Sequence, residues 1–261
     1  MAAKRILVIN DTHCGHLVGL TPPAFNPKFK SANKQKLSDD RAVYWNFFSD
    51  TVESLRPIDA VFHVGDAIDG KGEASGGTEQ LTTDRNEQCS MGVEVMKFVK
   101  ASASFMVCGT PYHVGREEDW EKQIADEVGA RISSHEWVDV NGLVFDLKHH
   151  VSGSQTPQGR HTAMARERLW NVLWAEHGEY PKSHVLLRGH VHYHNYCGGY
   201  QWLAMTLPAL QGYGSKFGAR RMSGTVDFGL TFFEVESKDE YTWQSFIAKP
   251  GKLRKFAIPV K

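Results

Sequence analysis

The sequence predicts an α/β protein in which helices cover β-sheets of mixed strand direction. Three observations carry this. Short apolar, β-branched runs at 4–10, 59–66 and 104–109 alternate with segments of helical period. From about residue 136 the chain turns strand-rich, opening with two alternating runs joined by Asn141-Gly142, a strong hairpin signal. Each early strand also stops near an acid or a histidine, and in layered α/β folds ligands gather at the carboxyl ends of strands.

Taken in order, "KRILVIN" (4–10) is a buried strand that ends at Asp11. Residues 14–38, with Pro22, Pro23, Pro27 and four lysines, read as a long inserted loop. Ser38 and Asp39 are candidate N-caps for a helix whose apolar stripe is Val43, Phe47, Phe48, Val52 and Leu55, closed by Pro57. "DAVFHVGD" (59–66) is a second buried strand, followed by a Gly-rich loop at 70–83, a helix over about 84–101 and a third strand, "SFMVCG" (104–109). Residues 116–129 form a helix that is acidic at its start, apolar at Trp120, Ile124 and Val128, and stopped by Gly129. After the hairpin come a helix over about 160–176, a buried strand at 184–190, and strands in "WLAMTLPAL", "GLTFFEVE" and "YTWQSFIA".

Composition narrows the function classes. With 261 residues, 41% of them hydrophobic, the chain can bury a real core, and a single domain over 1–261 is expected. Basic and acidic residues balance at 30 each, so no global field marks a nucleic-acid binder, and such a surface must be local. Cys14, Cys89, Cys108 and Cys197 are scattered without a CxxC pair, and nothing at the N-terminus resembles a signal peptide, so a cytoplasmic setting is expected. No apolar run suits a membrane helix.

Histidine is the oddity, with 13 in the chain and eight of them between His149 and His194. In "LRGHVHYH" (187–194), His190 and His192 lie two apart, which in a strand turns both to one face. Neutral imidazole is the commonest metal ligand. Metal-competent residues recur at successive strand ends: Asp11 and His13, Asp66, His113, His149 and His150, then His190 and His192. An acid after one strand is a turn residue; the recurrence is what points to a shared site.

The ordered set "DTH" (11–13), "GDAID" (65–69), "GTPYH" (109–113), "KHH" (148–150) and "GHVH" (189–192) resembles the calcineurin-like metallophosphoesterase family, over most of the chain. The resemblance implies a four-layer αββα sandwich with mixed sheets. It implies two divalent cations, one held by Asp11, His13 and His192, the other by His190 and one of His149 or His150, with Asp66 bridging. His149 is preferred because the family histidine comes first after the strand. Such a pair clamps attacking and leaving oxygens and generates hydroxide near neutrality. Imidazole and carboxylate donors suit Mn, Fe, Ni, Co or Zn, with Mn favoured. In the third motif Thr110 stands where the family has an asparagine ligand and the histidine is shifted to His113, a candidate for the catalytic group that protonates the leaving oxygen. Asp69 reads as a loop acid and His194 as solvated.

The implied substrate is a phosphate ester. Lys28, Lys30, Lys34 and Lys36 with Phe25 and Phe29, and "GSKFGARRMSG" (214–224), interleave cations, aromatics and glycines in the manner of a surface that tracks phosphates. This favours phosphodiesters of DNA, RNA or nucleotides over a phosphomonoester or phosphoprotein. A metal-bound scaffold that binds nucleic acid without turnover is the alternative of a different class. A structural zinc module fits poorly, because the cysteines are unpaired and the ligands spread from 11 to 192.

Overall fold

The computed structural model describes residues 2–28, 30, 32–115, 119–213 and 226–248. Strands β1 (Lys4–Ile9), β2 (Ala60–His63), β3 (Ala103–Val107) and β4 (Arg131–Ser133) run parallel. Beside β1, β10 (Gly229–Val235) and β11 (Tyr241–Ile247) continue the sheet antiparallel, in the order β11-β10-β1-β2-β3-β4. The second sheet contains β5 (Glu136–Val140), β6 (Leu143–Lys148), β7 (Val185–Arg188), β8 (Asn195–Gly199) and β9 (Trp202–Thr206), in the order β5-β6-β7-β9-β8. Its central pairs are parallel and its edge pairs antiparallel, so both sheets are mixed.

Why the early strands are apolar throughout follows from the layers. Along β1, Leu7 and Ile9 face one side and Ile6 and Val8 the other, as the two-residue period of a strand requires. The first pair packs with Phe48 and Val52 of α1 (Ala32–Ser54), Met91 and Val95 of α2 (Arg85–Val99) and Ile124, which lies in the later helix Trp120–Val128. The second pair meets Phe145, Leu187 and Met205 of the other sheet. On that sheet's outer side, Leu186 and Ala204 pack with Ala163 and Met164 of a helix at Pro157–Glu176. Helix, sheet, sheet and helix therefore stack as four layers around three apolar clusters.

Local signals explain most boundaries. Asn141 and Gly142 take φ of 52° and 85°, the left-handed pair a two-residue hairpin turn needs. The Asp84 carboxylate accepts from Asn86 N at 2.9 Å and caps α2. A short turn, α3 (Pro111–Val114), precedes α4 (Trp120–Val128), which stops at left-handed Gly129, and α5 is the helix Pro157–Glu176.

Several expectations need correction. α1 begins at Ala32, not after Ser38, so the inserted loop is shorter than 14–38. Its first turns are rich in lysine and glutamine, which favour helix without any apolar period. Ser38 is no cap: its hydroxyl donates to Asn26 and to the Pro27 carbonyl. Val43 is exposed, and the inward stripe is Arg41, Tyr44, Trp45, Phe48, Val52 and Leu55. β4 and β8 were not foreseen. The start of the helix at 116–129 and the basic segment at 214–224 lie outside the described residues. Among the described residues no helix is long and apolar enough to cross a membrane.

Candidate metal centre

The carboxyl ends of β1, β2, β3, β6 and β7 meet at one edge of the sandwich. Backbone bonds tie these ends together: Asp11 N to Gly65 O at 3.1 Å, His13 N to Asp66 O at 3.0 Å and Gly189 N to His149 O at 2.9 Å. Of the seven described non-glycine residues with positive φ, five stand here: Asp11 at 48°, His13 at 42°, Asp66 at 53°, His190 at 72° and His192 at 54°. Each such residue costs of order 1–3 kcal/mol, and strain of this kind collects where a side chain must be aimed. Close approach is equally demanding. A Cβ at Gly109 would lie 2.1 Å from Asp66 Oδ1, and one at Gly65 would lie 2.5 Å from His149 Nδ1.

These turns bring ligand atoms into two adjoining groups. Asp11, His13 and His192 form one, with Asp11 Oδ1 3.6 Å from His13 Nε2 and 3.5 Å from His192 Nε2, and the two ring nitrogens 3.3 Å apart. Asp66, His149 and His190 form the other, with His149 Nε2 3.1 Å from Asp66 Oδ2. Asp66 also reaches toward the first group, its Oδ2 3.9 Å from His13 Nε2. His190 and His192 thus do not share one strand face. β7 ends at Arg188, and the left-handed backbone beyond it sends the two imidazoles to different groups.

Hydrogen-bond partners decide which ring nitrogens face inward. His149 Nδ1 lies 2.7 Å from the Val64 carbonyl, which can only accept, so in the neutral ring Nε2 is the bare nitrogen. His13 Nδ1 lies 2.8 Å from Asp69 Oδ1, which likewise turns Nε2 toward Asp11 and Asp66. Asp11 Oδ1 and His149 Nε2 are buried without a hydrogen bond, the latter off the angle that Asp66 would require. With these rings neutral, acceptors converge on common points without donors, which is what a cation needs.

Electrostatics carry the same signature. Burial is the largest single influence on each group and opposes its charge, yet at Asp11, Asp66, His13 and His149 the neighbours together outweigh it. The imidazoles of His192, His13 and His149 hold the Asp11 carboxyl well below its ordinary range, and His149 does the same for Asp66. Reciprocally, Asp11 and Asp69 lift His13, and Asp66 lifts His149, each to about 10. Without a metal, protons on imidazole balance the two carboxylates. Burial and His149 push His190 down to about 4, a neutral ring ready to ligate.

The remaining predicted residues take other positions. Thr110 donates from its backbone N to Asp66 Oδ1 at 2.6 Å, and its hydroxyl lies 3.1 Å from both Asp66 oxygens. His150 is exposed, its ring 4.8 Å from that of His190, and it joins neither group. His113 packs edge-on against His13 at 4.6 Å, with Nδ1 3.0 Å from the Asp69 carbonyl, and burial followed by His13 lowers its pKa. His194 is half-buried and bonded to the Thr206 carbonyl, away from the groups.

Sequence reasoning missed the residues that support these. Asp69 is buried and orients His13, where a solvated loop acid was expected. Asn10 donates to Asp11 Oδ2 from beneath. The buried Glu121 accepts from Ala67 N at 2.7 Å and from Gly109 N at 2.6 Å, fastening the Asp66 turn to the Thr110 turn. Asp69 lay within the quoted "GDAID" motif; Glu121, on the polar side of a helix pattern, carried no signal.

No family model and no curated protein sequence matches the chain. Its structure is similar to solved ones at low identity. An archaeal phosphodiesterase has a TM-score of 0.49 at 13% identity, covering 93% of this chain and 99% of that one. Vps29 from Entamoeba histolytica in complex with zinc has 0.48 at 13%, covering 93% and 92%. A predicted phosphoesterase from Streptococcus pneumoniae TIGR4 has 0.41 at 11%, covering 94% and 99%. Likeness of this degree carries no argument about activity, which rests on the residues.

Proposed function

We propose that the chain is a phosphoesterase working with two divalent cations, and that its substrates are phosphodiesters of nucleic acids or nucleotides. The observation that carries the reading is a pair of adjoining His/Asp groups, Asp66 of one lying 3.9 Å from His13 of the other, with buried ligand atoms that no hydrogen bond satisfies. Asp11, His13 and His192 would hold one cation, His149 and His190 the other, and Asp66 both. When bound, such a pair supplies Lewis acidity that acidifies water and neutralises phosphate charge.

The chain's own groups do the rest. Asp69 and the Val64 carbonyl fix His13 and His149 in the tautomer that presents Nε2. His113, anchored through Nδ1, keeps Nε2 for holding a proton near the leaving oxygen. Its lowered pKa makes it a stronger acid while reducing the protonated fraction at neutrality. For the diester, support comes from exposed Lys28, Lys30 and Lys36 on the segment following Leu20, whose N bonds the Thr12 carbonyl beside the site. Cations there suit a substrate whose charge continues past the scissile phosphate.

The test is a parallel screen of protein loaded with Mn, Fe, Co, Ni or Zn. Bis(nitrophenyl) phosphate, nitrophenyl phosphate, cyclic nucleotides, single- and double-stranded DNA and RNA are the substrates. Turnover of diesters ahead of the monoester is expected. A faster monoester would sink the substrate assignment, and metal binding without any turnover, with nucleic acid still bound, would favour a scaffold. His113→Gln should slow turnover at unchanged metal content; equal activity per bound metal removes its role.

A further inference from the structure

We infer that the outer face of α5 is a homodimer interface, in which two copies of this chain pack their α5 helices antiparallel. One face of α5 is already used: Ala163, Met164 and Asn171 are buried toward the second sheet. The flank adjoining it carries a second stripe at Arg166, Leu169, Trp170, Leu173, Trp174 and His177, the spacing of neighbours on one side of a helix. Leu169 is 57% exposed, Trp170 52%, Leu173 41% and Trp174 43%, and Tyr180, 38% exposed, extends the patch with its ring 5.5 Å from that of Trp174. The sandwich covers the first of these stripes and leaves the second in solvent.

The occupant follows from the pattern of the stripe. An antiparallel pairing about a two-fold axis midway along it sets Leu169 against the partner's Trp174 and Trp170 against the partner's Leu173. Each large ring then meets a smaller side chain, twice, as an isologous contact requires. Charge agrees. The exposed Arg166 falls opposite the last turn of the partner's helix, where the partner's exposed Glu176 and the negative end of the helix dipole lie. Area agrees too. The five apolar side chains expose roughly 500 Å², taking about 150–250 Å² for each whole aromatic. That is close to the apolar share of one side of a standard interface, about 800 Å² per partner.

Sedimentation of the full chain over a concentration series tests this. The wild type should reach twice the 29.3 kDa chain mass, while Trp170→Glu, at an exposed position and with an unchanged circular-dichroism melt, should stay monomeric. Arg166→Glu should weaken the dimer about tenfold, and adding Glu176→Arg to the same chain should restore it. A wild type that is monomeric at every concentration overturns the inference, as does a dimer with the same dissociation constant in Trp170→Glu. A dimer lost in Trp170→Glu but indifferent to Arg166→Glu overturns the antiparallel register.

Discussion

Among the described residues, two clusters of buried charge are built on opposite terms. Around Asp146 and Arg188, each only 2% exposed, everything is matched. Arg188 donates to Asp146 Oδ1 at 2.6 Å, to the Asp146 carbonyl at 3.1 Å and to Glu167 at 3.0 Å, while His135 stands 2.9 Å from the same carboxylate. At the strand ends, Asp11 Oδ1 and His149 Nε2 are buried without a hydrogen bond, among turns held in left-handed conformations. A closed cluster fixes the packing of α5 and the second sheet. An open one can be completed from outside, and buried polar atoms left without a hydrogen bond draw attention to such a place.

Exchanging the clusters' fates is the strongest way to break this contrast. Asp66→Asn should lower diester turnover by at least about 10⁴-fold, above 5 kcal/mol of transition-state stabilisation, since the group proposed to join both cations is weakened. Its unfolding free energy without metal should fall only modestly, since His149 can shed its proton once the carboxylate is gone. Arg188→Ala should do the reverse, destabilising the fold by about 3–5 kcal/mol because Asp146 is left buried and unpaired, with activity per folded molecule retained. Urea melts and steady-state rates on both variants suffice. A metal-free Asp66→Asn that unfolds as readily as Arg188→Ala would remove the distinction.

The contrast also explains what could be read from sequence. The cluster of acids and histidines was legible because it sits where apolar, β-branched runs stop, at Asp11, Asp66 and His149, and period-2 reading finds such stops. Asp69 was not, because its role comes from His13, 56 residues away. β4 and β8 escaped because they are edge strands: Arg131–Ser133 and Asn195–Gly199 are largely solvated and need no apolar pattern. The start of α1 escaped for the same reason. The orientations of His190 and His192 were misread because periodicity describes strands, and both residues lie past the strand in conformations that only the closed loop dictates.

Metal addition sharpens the comparison through stability. A cation that binds only the folded chain, at a thousandfold excess over its dissociation constant, should add about 4 kcal/mol. Thermal scans should show this increment in the wild type and in Arg188→Ala, starting from a lower base in the latter, and its loss in Asp11→Asn. An equal rise in Asp11→Asn would place the bound metal elsewhere.

The smallest effect belongs to acid. Burial works to raise the Asp146 pKa, but Arg188 and His135 outweigh it and bring the group from 3.8 down to about 2. A carboxyl depressed on folding contributes its full stability above the unfolded value and loses it as pH falls toward the folded one. The window therefore runs from about pH 4 to about pH 2, and the contribution lost across it is about 2 kcal/mol. Other carboxylates titrate in the same range, so the measurement is the difference between wild type and Asp146→Asn in metal-free urea melts, which should narrow by that amount on acidification. A difference that stays constant with pH would mean that the Asp146 carboxylate is not held by Arg188, and that the closed cluster is packing rather than charge.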